Sequence, residues 1–166
     1  LMKEDALAFK NRFERITFGD PLLTTQQDHV EIVNAICQEF SNLPADCALI
    51  LMGHGTSHYA NDVYAALDYR FKDLGFSNIH LATVEGYPTL ENVTRMVKEQ
   101  EAKKVILAPF MIVAGDHARN DMSGDDEDSW KNQFRAAGYD VECRMKGLGE
   151  YPAIQDMLIR HVTEVC

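Results

Sequence analysis

The sequence predicts an α/β fold: a doubly wound, four-stranded parallel sheet flanked by helices. Apolar runs at residues 47–52, 79–84, 105–113 and 139–145 alternate with segments of helical period. The first run, CALILM, is continuous rather than alternating, as in strands covered on both faces. The 166 residues are 46% apolar, enough for one domain with a substantial core.

The elements follow in order. Ala6, Phe9, Phe13 and Ile16 recur three and four residues apart and predict an opening helix. Gly19-Asp20-Pro21 is a turn signal. Val30, Val33, Cys37 and Phe40 mark one face of a second helix, and the first strand follows. Ser57 is a candidate cap for a helix carrying Ala60, Val63, Tyr64, Leu67 and Phe71, stopped at Gly75. After the second strand, Thr89 is a candidate cap for a helix with Leu90, Val93 and Val97 inward. The third strand, 105–113, runs into a polar loop, 115–124. Asp125, Asp126, Glu127 and Asp128 then open a helix carrying Trp130 and Phe134, where acids favour the positive end of the dipole. Gly138 closes that helix before the fourth strand. Tyr151-Pro152 opens the last one, with Ile154, Met157, Leu158, Val162 and Val165 packed inward. Each crossover in such an order is right-handed.

Charge and composition exclude several roles. The net charge is 16 − 26 = −10, with no basic stripe, which argues against nucleic acid or an anionic membrane as the main partner. The longest apolar run, 105–114, contains Pro109 and is shorter than the ~18–20 residues that span a bilayer. Cys37, Cys47, Cys143 and Cys166 form no CxxC pair and read as reduced thiols of a cytoplasmic protein. The chain opens at Leu1, already in a helical pattern, which implies sequence upstream.

In open parallel sheets, ligands bind beyond the carboxyl ends of the strands. There the sequence places Gly53-His54-Gly55, Glu85-Gly86-Tyr87-Pro88 and Gly115-Asp116-His117. His54, Glu85 and His117 thus follow three successive strands and can meet at one sheet edge. Two imidazoles and a carboxylate suit a divalent transition metal with open positions. They also suit proton transfer near neutral pH. Each residue alone has a plainer reading: His54 as a loop or cap residue, Glu85 as a solvated acid, His117 as part of a turn. His58 sits inside the following helix, where a supporting role is open. His80 at the start of a strand and His161 on a helix face read as structural, and His29 opens a helix distant from the strand ends. The acids at 125–128 are explained by the helix dipole and solvation.

At these residues the chain resembles the class II chelatases and, within them, the anaerobic cobalt chelatases acting on sirohydrochlorin. The similar stretches are MGHGTSH (52–58), VEGYP (84–88), PFMIVAGDHARNDM (109–122), DDEDSWK (125–131), GLGE (147–150) and FGDPLL (18–23). The resemblance implies two similar α/β lobes with the tetrapyrrole between them. Residues 1–42 would be the end of the N-terminal lobe with its connecting helix, and 43–166 the C-terminal chelatase lobe. The rest of the N-terminal lobe would be a partner outside this sequence. It further implies cobalt as substrate metal and a sirohydrochlorin-type tetrapyrrole as substrate, with metal ligation and proton handling by His54, Glu85 and His117. A polyanionic macrocycle calls for local donors, for which Arg119 and the backbone N–H groups of Gly86 and Tyr87 are candidates. The chain has no GxxxxGK[ST] loop, so ATP is not expected. An iron or nickel chelatase of the same class and a non-catalytic haem- or metal-binding carrier stand as alternatives, and homo-oligomerisation stays open.

Overall fold

The computed structural model describes residues 2–166. Four strands form one parallel sheet: β1 (Cys47–Gly53), β2 (Ile79–Thr83), β3 (Lys104–Pro109) and β4 (Asp140–Cys143), in the order β2-β1-β3-β4. The register runs Leu49↔Ile79 to Gly53↔Thr83, Cys47↔Lys104 to Met52↔Pro109, and Lys104↔Asp140 to Leu107↔Cys143. All seven residues of β1 are buried, because helices cover both faces.

Side chains alternate between two cores. Leu49, Leu51, Leu81, Ile106 and Ala108 face α2 (Gln26–Glu39), α3 (Asp62–Asp73) and α6 (Pro152–Thr163). Ala48, Ile50, Met52, Ala82 and Leu107 face α4 (Leu90–Glu99) and α5 (Trp130–Ala136). The expected α/β architecture is therefore present. Thr89 caps α4 through a reciprocal box with Asn92, and Gly75 and Gly138 follow α3 and α5 with positive φ. All four cysteines are free thiols.

Several local expectations are corrected. The opening helix, α1, covers only Met2–Leu7, and a 3₁₀ turn follows at Lys10–Arg12. Phe9 and Phe13 are 52% and 62% exposed beside Ala6 and Ile16 in an open apolar groove. A helical period without packing does not hold a helix. Val33, Cys37, Phe40, Ile154 and Met157 are buried as expected, but Val30 and Val162 are exposed, and Ile32, Ile36 and His161 complete the buried faces of α2 and α6. Ser57 caps nothing. The His58 side chain accepts from Ala60 N at a 3₁₀ turn, Tyr59–Asn61, that precedes α3. β3 ends at Pro109, four residues early, leaving Ile112 and Val113 exposed. The polar loop at 115–124 contains a π-helical turn, Ala118–Met122. The acids at 125–128 precede α5 rather than open it. Ser129 is the cap, and no acid lies in the first turn.

Candidate active site

The chain leaves β1 towards α3 on one face and leaves β3 towards α5 on the other. Such a divergence between neighbouring strands opens a crevice at their carboxyl ends. His54 comes directly after β1, and His117 enters from the loop after β3. Their rings meet edge to face, with centroids 4.6 Å apart. The ladder between β1 and β2 continues past both strands: Val84 N donates to Gly53 O at 3.1 Å, and Glu85 N to His54 O at 2.8 Å. This brings Glu85 Oε2 to 3.9 Å from His54 Nδ1, with side chains 60% and 47% exposed. The three residues singled out by strand position thus stand together at one edge of the sheet.

Both imidazoles are engaged at Nδ1. His54 Nδ1 is 2.8 Å from the Gly55 carbonyl, and His117 Nδ1 is 2.5 Å from Asp121 Oδ2. A carbonyl and a carboxylate only accept, so these bonds place a proton on each Nδ1, and in the neutral ring that leaves the lone pair at Nε2. A lone pair at Nε2 can take a metal or a proton. Among the described residues, no three His, Cys, Asp or Glu side chains already form a finished coordination set. The pair is an open arrangement, not a closed structural metal centre.

The loops carrying His54 and Glu85 are held by Asn61, a buried residue that the motif reading misses. Its Oδ1 accepts from Thr56 N at 3.0 Å, and its Nδ2 donates to the Tyr87 carbonyl at 2.7 Å. A Cβ on Gly86 would run into Asn61 Oδ1. Gly55 has φ +84°, and a Cβ there would lie 2.8 Å from Gly86 N. Glycine at these two positions is what lets the loops close. Asp121 is the other residue missed. Its signal was its place four residues after His117, which puts both on one side of a helical turn.

Of the proposed substrate contacts, Arg119 is exposed, and its guanidinium makes no hydrogen bond or ion pair among the described residues. The N–H groups of Gly86 and Tyr87 have no acceptor among them either. The remaining histidines divide. His80 is buried between Lys72 Nζ at 3.3 Å and Gln100 Oε1 at 3.0 Å. Burial and then the Lys72 charge hold it below the ordinary imidazole range. His161 is buried in a polar cluster with Asp28 rather than in apolar packing. His29 is not remote from the strand ends. It bonds the Leu23 carbonyl and lines, with Thr56, Tyr59 and Tyr64, a cleft of about 860 Å³ beside the first loop. His58 lies in the turn before α3, its ring against Tyr59.

Residues 2–166 match the family model described as "Cobalt chelatase (CbiK)". A sirohydrochlorin cobaltochelatase of Salmonella typhimurium is 40% identical over 150 residues, covering 90% of this chain and 56% of that protein. The sirohydrochlorin cobaltochelatase CbiKC of Nitratidesulfovibrio vulgaris is 32% identical over 163 residues, covering 96% of this chain and 56% of that one. The chain therefore spans about half the length of the curated relatives it matches. Among solved structures, a putative cobalamin biosynthesis CbiX protein of Marinobacter aquaeolei superposes with a TM-score of 0.52 at 21% identity, over 74% of this chain and 93% of that one. A multi-domain Deinococcus radiodurans protein with structural similarity to chelatases gives 0.54 at 18% identity, over 81% and 29%. Both likenesses concern the fold alone.

Proposed function

The chain belongs to the CbiK cobalt chelatase family, and from that premise we propose that the protein of which it is part inserts cobalt(II) into sirohydrochlorin without ATP. The observation that carries this reading is the pair of imidazoles, His54 and His117, 4.6 Å apart at the switch point of the sheet. Insertion must strip water from the metal and remove two pyrrole protons. His117 and Glu85 are the proposed first ligands of the incoming ion. His54, whose Nε2 lone pair is free, is the proposed base for the pyrrole protons. One nitrogen cannot do both at once, so two imidazoles divide the work.

The N–H groups of Gly86 and Tyr87 and the Arg119 guanidinium, without partners among the described residues, are proposed to hold carboxylates of the macrocycle. The exposed Tyr87, Ile112 and Val113 offer apolar surface for its flat face. In this reading residues 43–166 form the C-terminal lobe and 1–42 end the N-terminal one, although α2 shares the core beneath β1. The opposite wall of the pocket then comes from the remainder of that lobe. No helix among the described residues is long and apolar enough to cross a membrane.

The test is the absorbance of free sirohydrochlorin in the presence of cobalt(II) and full-length protein. Wild type should consume it catalytically. His54→Ala and His117→Ala should each lower turnover by roughly 100-fold or more, within the range of lost acid–base help. Both residues are part exposed, so circular dichroism should stay unchanged. His80→Ala should weaken the fold and spare turnover per folded molecule. Wild-type rates in both folded site variants refute the assignment. Stoichiometric binding without turnover refutes the enzyme, and preference for iron(II) or nickel(II) refutes cobalt.

A further inference from the structure

The two imidazoles are held at Nδ1 by different means. His54 uses the Gly55 carbonyl, which no substitution removes. His117 uses a side chain, Asp121, four residues along the same turn. The turn itself is fixed independently of that bond. Ala118 and Met122 are fully buried against the face that carries α4 and α5. Ser123 N donates to Ala118 O at 3.1 Å, closing the π turn, and Gly124 N donates to Asn120 O at 3.0 Å. Ser123 Oγ adds a bond to Ala118 O at 2.9 Å, and Lys131 Nζ reaches Ser123 O at 2.7 Å. The backbone position of His117 therefore does not depend on Asp121. The rotation of its ring, and the nitrogen that bears its proton, do. Apart from Asp121, the ring of His117 meets that of His54 at right angles, 4.6 Å between centroids.

From this geometry we propose that Asp121 is a positioning residue that holds His117 as its Nδ1–H tautomer, so that Nε2 presents its lone pair to the substrate. A free imidazole prefers the opposite arrangement, with the proton on Nε2. That form would turn a donor towards the incoming cation. A carboxylate at Nδ1 reverses the preference and fixes the ring plane as well. Asp121 touches neither metal nor macrocycle in this role, and its effect passes through His117. The inference rests on the chelatase reading for its kinetic part and stands apart from it for its structural part.

The test uses full-length protein with ¹⁵N-labelled histidine, at about pH 8, where a free imidazole is neutral. The His117 signals are assigned by their loss in His117→Gln. Wild type should show His117 protonated at Nδ1. Asp121→Ala should move the proton to Nε2 and lower kcat about 10- to 100-fold, the usual cost of losing such a partner, with KM for sirohydrochlorin nearly unchanged. Asp121→Asn keeps an acceptor of the same shape, so it should retain much of the Nδ1–H form and recover part of the rate. Asp116→Asn, in the neighbouring carboxylate, should leave the tautomer as it is. Three results overturn the proposal: an Nδ1–H tautomer that persists in Asp121→Ala, a tautomer change without loss of kcat, or an Asn variant no better than Ala on both readouts. If wild type inserts no metal at all, the chelatase reading fails, and the tautomer measurement still decides the structural claim.

Discussion

Asn61 does the most with the fewest atoms. One carboxamide accepts from Thr56 N and donates to the Tyr87 carbonyl, so a single side chain ties the far ends of the His54 and Glu85 loops, beyond the backbone bonds of Val84 and Glu85. Asn61→Ala should cost about 1 kcal/mol by removing two part-buried hydrogen bonds, to Thr56 N and the Tyr87 carbonyl, and it should lower kcat because the two loops loosen. Asn61→Asp should be no milder at neutral pH, since it sets a carboxylate oxygen against the Tyr87 carbonyl. Urea denaturation beside insertion kinetics checks both, and wild-type stability in both variants would contradict the role. His54, Glu85 and His117 are legible in the sequence because each follows an apolar run, and the end of a run fixes a position in space. Asn61 and Asp121 are not legible that way. Asn61 bonds the backbone of loops whose approach depends on glycines at 55 and 86, and Asp121 matters only once the segment after His117 is known to be helical.

At the scale of elements, apolar content reports burial well and pairing poorly. β1 reads directly as a strand covered on both faces. The run at 105–113 overstates β3: past Pro109 one bond to β1 remains, Phe110 N to Met52 O, and the Met111 and Ile112 carbonyls accept from Leu148 N and Gly149 N of a turn rather than from a strand. The first helix is overstated for a related reason. Phe9 and Phe13 keep the period but stay more than half exposed, Phe9 with only the Arg12 guanidinium 5.7 Å over its ring. Capping chemistry is the more local signal, and it separates two threonine and serine candidates of similar appearance. Thr89 accepts from Asn92 N and completes a box, whereas Ser57 takes no part in a cap. Thr89→Ala should therefore destabilise the protein by about 1 kcal/mol, and Ser57→Ala should leave the denaturation midpoint where it was. Equal shifts in the two midpoints would show that the cap contributes nothing.

The whole molecule is tied together at the side of the sheet that carries α2 and α6. Asp28, fully buried, caps α2 through Thr25 and takes Nε2 of His161 at 2.9 Å and the Arg160 guanidinium at 3.0 Å. Glu31 and Glu164 also face Arg160, and the Asp20 carbonyl takes His161 Nδ1 at 2.8 Å. Burial raises the Asp28 carboxyl, but bonds from His161, Thr25 and Arg160 outweigh it and bring it to about 2. The Asp20 carbonyl first, then Asp28, raise His161. The lowered acid stabilises the fold above its unfolded value of about 4 and loses that contribution as pH falls towards 2. The raised imidazole stabilises below its unfolded value of about 6.5 and loses that contribution as pH climbs through its higher folded value. His80, kept neutral by burial, tilts the other way, so the informative quantity is the difference between wild type and His161→Gln. That difference in urea midpoint should be largest between about pH 4 and 6.5 and shrink at higher pH, and a constant difference from pH 5 to 9 would contradict the pairing. The sheet order has a further consequence. β4 is one of the two outer strands, only four residues long, and its Glu142 is bound by Lys104 Nζ at 2.6 Å and Arg144 Nε at 2.9 Å. A second molecule adding a strand there would find a short template studded with charges already satisfied at home, so the protein's own ion pairs guard that edge against strand addition.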